Sequence, residues 1–486
     1  MSALLPATAI RAVEARHHDL LPPLMERAGR AAADVALRIL GEARGCVLVV
    51  AGPGNNGGDG FVVARLLKEA GRDVVVACHS DACVLPPDAA SARAAWDAAG
   101  GRTVADFVGS QWGLVVDALF GIGLKRPVDG RHAECIARIN AMSCPVLALD
   151  VPSGLDADTG VVRGCAVRAT HTASFIALKP GQLTLDGPDH CGELSLHDLG
   201  LDVPAGAGAL LDRSSFASQL RARPRNAHKG MFGDAGVIGG APGMTGAALL
   251  AARASLKLGA GRIFLGLLDA EAPAFDPACP ELMLRQPGDL HLLSSALAVG
   301  PGLGQSEQAL QQLRRALGFT GPLLLDADAL NLLAANPGMQ QALGRREAAT
   351  VLTPHPAEAA RLLQCSTAEV QADRVASACD MARRFQACVV LKGCGSVLAT
   401  PEGNWYINTS GHSGMASAGM GDVLSGLVLA LLAQGWPAMP ALAAGVHLHG
   451  CAAERLARAG VGPVGLSASE LIDAARAEFN AWLPRR

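Results

Sequence analysis

Short runs of Val, Leu and Ala alternate along the chain with longer Ala- and Leu-rich segments. In the first half, the short runs predict four strands, and the segment that follows the first of them predicts a helix over residues 61–70. The strands are predicted at residues 46–50, 74–77, 114–117 and 146–150. In the second half, the same pattern predicts strands at residues 235–238, 262–265, 296–299, 322–326 and 387–391. Strands that alternate with helices predict an α/β fold with mainly parallel sheets.

The length of 486 residues predicts two domains rather than one. The alternation of predicted strands and helices stops after Gly200. The stretch that follows contains VPAGAGA and then four arginines up to Arg225. We interpret this stretch as a linker with the boundary near residue 215. The predicted domains are therefore residues 1–215 and 216–486.

Composition narrows the possible functions. Hydrophobic residues make up 50% and charged residues 17% of the chain, which argues against disorder. A net charge of −3 and an aromatic content of 3% argue against nucleic-acid binding.

Thirteen cysteines without a CxxC pair are typical of free thiols in a reducing cytosol. With no signal peptide and no apolar run of about 20 residues, the sequence predicts a cytoplasmic protein that does not enter membranes. The apolar Ala-rich helices favour a homo-oligomer.

A glycine-rich stretch, AGPGNNGGDG, lies between the first predicted strand and the helix. Its Gly52, Gly54 and Gly57 match the GxGxxG pattern of dinucleotide-binding turns. A tight turn without a ligand remains the alternative. Two asparagines and Asp59 add hydrogen-bonding groups that a plain turn does not need.

Two carboxylates each end an apolar strand, Asp117 and Asp150. Ligands of open α/β sheets bind beyond the carboxyl ends of the strands, so both are expected to face one crevice. The alternative for each is a residue that caps a helix or forms a turn.

These motifs resemble those of NAD(P)H-hydrate epimerases, in GPGNNGGDG, VDALFGIGL and LDVPSGLDADTG. The resemblance implies a Rossmann-like three-layer domain, with a potassium ion held by Asn56, Asp117 and Ser153. It places Asp150 at the reactive centre of the substrate. The other residues implied to hold the hydrated nucleotide are Asn55, Asn56, Gly57, Gly58, Asp59, Gly121, Ile122, Gly123, Leu124, Lys125, Arg126 and Pro127. Ile122 stands where threonine is usual, and Arg27 where asparagine is common.

Four further glycine- or proline-rich stretches follow predicted strands in the second half: GGAPGMTG, GPGLG, TPHPAE and KGCGS. His355 lies between two prolines, which stiffen the backbone around it and make it a candidate ligand. KGCGS, residues 392–396, places a lysine and two glycines in a turn, which could approach a phosphate. An ordinary hairpin is the alternative for it.

The stretch GHSGMASAGMGDVLSG places Asp422 between a glycine-rich loop and an apolar helix. Backbone amides at the start of that helix favour an anion. Asp422 is a candidate general base there, and a simple helix cap is the alternative.

With NAHKGMFGDAGVIGG and LDADALNLL, the second half resembles ADP- or ATP-dependent NAD(P)H-hydrate dehydratases of the ribokinase-like fold. The resemblance implies Mg²⁺ bound with ADP or ATP, and Asp422 as the catalytic base. The residues implied to contact the hydrate are Ala247, Gly302, His355 and Asp422. Those implied to hold the nucleotide are Lys392, Gly393, Cys394, Gly395, Ser396 and Gly421. His412 and Ser413 stand where the family commonly has Asn-Pro, and we expect the looser loop to lower affinity modestly.

The sequence therefore predicts a bifunctional repair enzyme, an isomerase fused to a lyase. The first domain is expected to interconvert the R and S forms of NADHX or NADPHX, and the second to dehydrate the S form with ADP or ATP. Two other classes stay open: a ribokinase-like small-molecule kinase with an accessory domain, and a regulatory protein that binds nucleotides without turnover.

Overall fold

The computed structural model describes residues 2–43, 45–78, 85–107, 109, 111–203 and 206–484. The chain divides into two compact units, Ser2–Gly208 and Ala209–Arg486. Each unit is built on one β-sheet and is described by itself. The boundary that the sequence places near residue 215, and the assignment of one activity to each segment, stay predictions.

The first unit contains six helices and eight strands in its described residues, the last of them ending at His197. The helices are α1 (Ala7–Arg16), α2 (Leu24–Leu40), α3 (Asn55–Glu69), α4 (Pro87–Ala98), α5 (Gly130–Asn140) and α6 (Gly187–Cys191). The strands are β1 (Ala3–Leu4), β2 (Val47–Ala51), β3 (Val74–Cys78), β4 (Arg102–Val104), β5 (Leu114–Ala118), β6 (Val146–Leu149), β7 (His171–Phe175) and β8 (Glu193–His197).

Seven of these strands form a wholly parallel sheet in the order β4-β3-β2-β5-β6-β7-β8. The chain runs outward from β2 to β4, then returns to the other side of β2 with β5. This reversal creates a crevice at the carboxyl ends of β2 and β5, where ligands of such sheets bind. Both candidate motifs that follow these strands therefore lie at the predicted edge of the sheet.

The residues of β2 show why this sheet is covered on both faces. Val47 and Val49 pack into a core with α2 and α3, while Leu48 and Val50 pack into a second core with α5. A strand buried on both sides reads as a continuous apolar run, as VLVVA does. The predicted three-layer, Rossmann-like architecture is confirmed. The predicted start of the first helix is wrong, because α3 begins at Asn55 and takes in half of the glycine-rich stretch.

The second unit contains eleven helices and ten strands in its described residues; the first strand, at 208–210, spans the division. The helices are α7 (Thr245–Lys257), α8 (Leu290–Leu293), α9 (Glu307–Leu317), α10 (Asp328–Ala335), α11 (Pro337–Gly344), α12 (Pro356–Leu363), α13 (Thr367–Ala372), α14 (Arg374–Phe385), α15 (Met420–Ala433), α16 (Ala438–Arg458) and α17 (Ala468–Trp482). The strands are β9 (Gly208–Leu210), β10 (Asp234–Gly239), β11 (Arg262–Leu267), β12 (Met283–Leu284), β13 (Ala296–Val299), β14 (Leu323–Leu325), β15 (Thr350–Leu352), β16 (Cys388–Leu391), β17 (Ser396–Ala399) and β18 (Trp405–Asn408).

Within this unit the strands follow the order β9-β18-β17-β16-β15-β14-β13-β10-β11-β12. The strands from β12 to β16 are parallel, and β17 and β18 complete the sheet as antiparallel hairpins. The KGCGS stretch is therefore the turn of a hairpin between β16 and β17. From the sequence, a hairpin turn and a phosphate site were alternatives for KGCGS. Because a hairpin turn can also bind a phosphate, the observed hairpin does not exclude the phosphate site.

The apolar helix α15 lies in the core of this unit. Every residue from Val423 to Ala433 is buried, and the helix packs against α7 and α16. Gly426 allows the close contact with α7, because a Cβ at this position would lie 2.2 Å from the Ala251 carbonyl oxygen. The predicted buried helix behind Asp422 is therefore present. Within the described residues, no helix is long and apolar enough to cross a membrane.

Candidate active sites

The glycine-rich turn after β2 is held tightly against the end of β5. A Cβ at Gly52 would lie 1.9 Å from the Leu119 carbonyl oxygen, and one at Gly57 would lie 2.1 Å from the Gly52 carbonyl oxygen. Only glycine fits these two positions without displacing the backbone. The first turn of α3, with Asn55, Asn56 and the two glycines after them, is thereby fixed beside the crevice.

Asp117 is buried completely at the end of β5, and Ser153 satisfies much of its carboxylate. The Ser153 hydroxyl donates to Asp117 Oδ1 at 2.6 Å, and the Ser153 amide donates to Oδ2 at 2.8 Å. Burial raises the pKa of Asp117 to about 6, although the bonds from Ser153 lower it. The structure therefore brings two of the three predicted potassium ligands into direct contact.

Asn56, the third predicted ligand, is buried, and neither its Oδ1 nor its Nδ2 has a hydrogen-bond partner among the described residues. Gly121, four residues after Asp117, lies against it: a Cβ there would be 3.5 Å from Asn56 Oδ1. Buried amides without a partner are rare, because leaving one unsatisfied costs roughly 1–3 kcal/mol. The unpartnered amide oxygen of Asn56, the Asp117 carboxylate and the Ser153 hydroxyl are together a donor set whose chemistry fits a hard cation.

Asp150 lies in a left-handed backbone conformation, with φ of 65°, directly after β6. Lys179, which is buried completely, forms an ion pair with its carboxylate. The Lys179 ammonium also donates to the Phe175 carbonyl oxygen at 2.8 Å and to Ser174 Oγ at 3.1 Å. All three of its protons are thus engaged, so Lys179 holds the Asp150 carboxylate in place.

Lys179 is a residue that the sequence analysis did not single out. The signal was present, since a lysine within the apolar stretch SFIALKPG needs a buried partner. Asp59, the last predicted residue of the glycine-rich motif, belongs to the same charged group. Burial, followed by the charges of Asp150 and Glu14, raises the pKa of Asp59 well above its ordinary value.

The segment 121–127 is mostly exposed and follows β5, whose carboxyl end borders the crevice, so we expect it to form the outer wall. Ile122 is only partly buried and packs against two apolar clusters, while Arg11 donates to its carbonyl oxygen at 3.3 Å. The isoleucine that replaces the usual threonine therefore contributes apolar contact, and its backbone remains in the wall. Contact of the ligand with Gly123, Leu124, Lys125, Arg126 and Pro127 stays a prediction.

In the second unit, the carboxyl ends of five neighbouring strands carry the predicted motifs. The motif after β13 is packed against the end of β14, because a Cβ at Gly300 would lie 1.8 Å from the Asp326 carbonyl oxygen. Ala247, in the first turn of α7, meets Gly302, since a Cβ at Gly302 would lie 3.1 Å from Ala247 Cβ. Two of the residues predicted to contact the hydrate are therefore neighbours.

A buried carboxylate that the sequence analysis did not select organises the other half of this site. Asp326 Oδ1 accepts from the Lys392 ammonium at 2.9 Å, and Oδ2 accepts from the Ser425 hydroxyl at 2.7 Å. The ammonium lies at the start of α15, because a Cβ at Gly421 would be 3.3 Å from it. Lys392 and Gly421, both predicted to hold the nucleotide, are thus brought together from distant parts of the sequence.

Opposing effects act on the charge of Lys392. Burial disfavours its charge, but the carboxylates of Asp326, Glu358 and Asp422 outweigh this and raise the pKa of Lys392. The lysine therefore keeps its positive charge at the N-terminus of α15. Together with the backbone amides there, it makes the site suited to a phosphate.

Asp422 is the third residue of α15 and has a perturbed pKa. Burial, followed by the neighbouring charge of Asp326, raises its pKa to about 6, while Lys392 acts in the opposite direction. A carboxylate with a pKa near the working pH is well matched to the role of general base. No hydrogen bond from the Asp422 side chain caps α15, whose N-cap residue is Gly419. The capping alternative is therefore not what this structure shows.

His355 precedes α12 and caps it. Its Nδ1 accepts from the amides of Ala357 at 3.1 Å and Glu358 at 3.4 Å, and the Glu358 carboxylate accepts from the His355 amide at 2.8 Å. Burial, followed by the charge of Lys392, lowers the pKa of His355. The imidazole is therefore neutral and fixed in one orientation, and its contact with a substrate stays a prediction.

The loop after β16, which the sequence predicts to bind the nucleotide, is supported by Arg374, another residue outside the predicted set. Arg374 is buried and donates to the carbonyl oxygens of Leu391 and Lys392, both at 3.2 Å. Gly393 has φ of 141° and lies over the guanidinium, where a Cβ would be 2.9 Å from Arg374 Nη1. Cys394 is exposed, and the Ser396 hydroxyl donates to the Gly393 carbonyl oxygen at 3.0 Å. These contacts shape the predicted residues 392–396 into a rigid turn.

The raised pKa of Asp422 gives a testable pH dependence. A general base acts only when ionised, so if Asp422 is the base of the predicted dehydration, the reaction should slow as the pH falls through the pKa of about 6. We expect kcat/KM to drop about tenfold for each unit below that pH, with a plateau above it. The measurement is kcat/KM for the dehydration of hydrated NADH between about pH 4.5 and 8. A profile that stays flat down to about pH 4.5 would contradict the assignment.

The two sites define a class of protein: an enzyme with a Rossmann-like unit and a ribokinase-like unit, the latter with a partly buried lysine beside the glycines that begin an apolar helix. Residues 22–181 match the family described as YjeF-related protein N-terminus, and residues 235–476 match the family described as NAD(P)H-hydrate dehydratase. The chain belongs to the family of bifunctional NAD(P)H-hydrate repair enzymes. It is 41% identical to such an enzyme, Nnr, of Escherichia coli, over 92% of this chain and 87% of that protein. It is 40% identical to the enzyme of the same name of Coxiella burnetii, over 94% of both chains.

Solved structures agree for the second unit. An ADP/ATP-dependent NAD(P)H-hydrate dehydratase of Bacillus subtilis, crystallised with ATP and Mg²⁺, is 30% identical with a TM-score of 0.51. The match covers 56% of this chain and 98% of that protein. A ribokinase-like superfamily protein of Enterococcus faecalis, at 24% identity and a TM-score of 0.51, shows the fold. The ribokinase-like fold predicted for the second domain is thereby confirmed.

Proposed function

We propose that this chain repairs hydrated nicotinamide nucleotides in two steps. The first unit interconverts the R and S forms of NAD(P)HX, and the second dehydrates the S form to NAD(P)H with ADP or ATP. The observation that carries the proposal is the arrangement at α15, where Asp422 and the Asp326-bound Lys392 meet at a helix N-terminus. The named activity of the relatives supports the same conclusion.

In the dehydratase site, the nucleotide phosphates bind against the amides that begin α15 and against Lys392. Asp422 accepts the proton of the ring hydroxyl as that oxygen attacks the terminal phosphorus of the nucleotide. The bond from this phosphorus to the bridging oxygen breaks, and AMP leaves when the donor is ADP, or ADP when the donor is ATP. The carbon–oxygen bond of the phosphorylated hydrate then breaks, phosphate leaves, and the ring loses a proton as its double bond forms. The helix amides and Lys392 stabilise the charge on the transferred group.

Mg²⁺ is expected to accompany the nucleotide, as in the Bacillus subtilis enzyme crystallised with ATP and Mg²⁺. It would neutralise charge on the phosphates. Asp326 and Glu358 supply buried carboxylate oxygens next to Lys392, and oxygen is the donor that Mg²⁺ prefers. Within the described residues, no group of three or more His, Cys, Asp or Glu side chains could hold a metal ion, so the nucleotide phosphates would be its main oxygen ligands.

In the epimerase site, the configuration of the hydroxyl-bearing ring carbon must invert. This carbon therefore loses and re-forms one of its bonds to oxygen or nitrogen, and a proton is transferred in each direction. Asp150 is the group placed to move that proton, and Lys179 fixes its carboxylate by an ion pair. The first turn of α3 and the segment 121–127 would hold the nucleotide around it. We propose that a potassium ion bound by Asn56, Asp117 and Ser153 fixes this turn of α3 against the end of β5.

The potassium site can be tested without measuring turnover. Potassium should raise the melting temperature of the wild-type chain by a few degrees over choline or lithium at equal ionic strength, because the ion binds only the folded state. Asn56→Ala should remove most of that difference. Asn140→Ala, which changes an amide elsewhere in the same unit, should leave it intact. Equal melting temperatures in all three salts would show that no potassium ion binds.

The assay that tests the function also separates it from the kinase alternative. Hydrated NADH and ATP or ADP should give back the absorbance of reduced nicotinamide, with release of phosphate. A ribokinase-like kinase would instead leave a stable phosphoester of the substrate, and a regulatory protein would give binding without turnover. A cytoplasmic location and a homo-oligomer stay predictions, and size-exclusion chromatography with light scattering measures the latter.

A further inference from the structure

The loop between β18 and α15 determines where the anion site lies. It runs over residues 409–419 and ends at Gly419, whose φ of 86° turns the chain into the helix. The loop contains three glycines, at positions 411, 414 and 419. A stretch with so much backbone freedom needs restraints if the amides that follow it are to be fixed in space.

The His412 side chain supplies two such restraints. Its Nδ1 accepts from the Gly414 amide at 3.0 Å and so caps the short turn at Ser413–Met415. Its Nε2 lies 2.9 Å from the Ala453 carbonyl oxygen of α16. Because Nδ1 accepts, Nε2 must carry the proton and donate, so one neutral tautomer satisfies both bonds.

The face of α16 under the loop makes further contacts with it. The Gly411 amide donates to Glu454 Oε1 at 2.8 Å, and a Cβ at Gly411 would lie 3.6 Å from Gly450 Cα. Gly450, Ala453 and Glu454 are spaced so that they lie on one side of the helix. The same helix packs along α15, whose first turn carries Asp422. His412 therefore connects the loop before the anion site to the helix beside it.

We propose that His412 is a positioning residue for phosphoryl transfer, which holds the loop before α15 so that the amides at residues 419–422 are ready for the transferred phosphate. The proposal rests on the proposed dehydratase function. It differs from the expectation that His412 and Ser413 simply leave the loop looser than Asn-Pro would. The histidine restrains the loop by a side-chain bond to α16, where a proline would do so by stiffening the backbone.

The test compares two variants with a control. His412→Ala removes both bonds, and should lower kcat of dehydration about tenfold while KM for the nucleotide changes less than about threefold. The double variant His412→Asn with Ser413→Pro replaces them, since asparagine can accept from the Gly414 amide and proline suits the first position of a turn. It should recover most of the lost kcat. His291→Ala, an exposed histidine on α8, is the matched control and should behave as wild type.

Hydrogen exchange of the peptide that covers residues 409–424 provides a readout independent of activity. It should be faster in His412→Ala than in the wild type, and slower again in the double variant. Unchanged exchange, or faster exchange with unchanged kcat, would overturn the positioning role. If the wild type shows no dehydration at all, the proposed function is wrong, and the exchange measurement still decides whether His412 restrains the loop.

Discussion

Asp422→Asn is expected to lower kcat for dehydration by about 10²- to 10⁴-fold, the range usual for loss of a general base. Asparagine preserves the size of the side chain but cannot take the proton of the ring hydroxyl. The start of α15, Lys392 and Asp326 remain in place, so nucleotide binding should change little. The measurement is the rate at which reduced nicotinamide reappears from hydrated NADH at saturating ADP or ATP, with nucleotide affinity measured by calorimetry.

Two controls make this result specific to the second unit. Asp380→Asn removes an exposed carboxylate from α14, where it pairs with Arg383, and should leave dehydration unchanged. Epimerisation by the Asp422→Asn chain should also continue at the wild-type rate, because its site lies in the first unit. An Asp422→Asn enzyme that keeps more than about a tenth of wild-type turnover would remove Asp422 from the role of base.

Asp150→Asn is expected to reduce enzymatic epimerisation by about 10²-fold or more, because the amide cannot accept a proton. Lys179→Met should also lower the rate of epimerisation, because it leaves the Asp150 carboxylate without the buried ammonium that fixes it. Asp189→Asn, on the exposed face of α6, is the control that should retain activity. The measurement follows the two epimers by chromatography after pure R or S form is added, with the spontaneous rate subtracted.

Stability has to be measured alongside these variants. Removing one partner of a buried ion pair can lower the free energy of unfolding by about 3–5 kcal/mol. Lys179→Met is therefore prone to unfold the first unit. Asp150→Asn keeps a hydrogen-bonding partner for the ammonium and is the safer variant. Asp150→Asn protein that melts like the wild type and still epimerises at the wild-type rate would show that the carboxylate is not catalytic.

The candidate residues at strand ends could be predicted from the sequence, because ligands of parallel α/β sheets bind beyond the carboxyl ends of the strands. Asp117 and Asp150 end apolar runs, and the structure puts them at the same edge of the sheet as the glycine-rich motif. The glycine-rich motif misled the sequence analysis about α3, because glycines that look like a loop form its first turn. They are tolerated in the helix because close packing, rather than helix propensity, fixes them there.

The residues that were missed act through contacts between distant parts of the chain. Ser425 is separated by 99 residues from Asp326, and Lys392 by 66, so no local pattern joins them. Asp326 did carry the same signal as Asp117, a carboxylate after an apolar strand, and could have been selected. His412 was noticed in the sequence because, with Ser413, it stands where the family commonly has Asn-Pro. Its role was not predicted, because only the structure shows its bond to Ala453 of α16.

Joining the two units in one chain suits a substrate that exists as two epimers. A dehydratase that accepts only the S form would leave the R form behind unless an epimerase converts it. The glycine-fixed turn of α3 lies in the first unit, and the start of α15 with Lys392 and Asp422 lies in the second. Each activity should therefore survive a variant that removes the other.

The most direct test starts from a mixture of both epimers of hydrated NADH, with the intact chain and ATP or ADP. We expect both epimers to disappear at enzymatic rates and reduced nicotinamide to return to the full amount of hydrate added. With Asp150→Asn, the S form should vanish quickly and the R form should follow only at the spontaneous rate. Wild-type protein that consumes one epimer and then stops, or that restores no reduced nicotinamide with either nucleotide, would contradict the account.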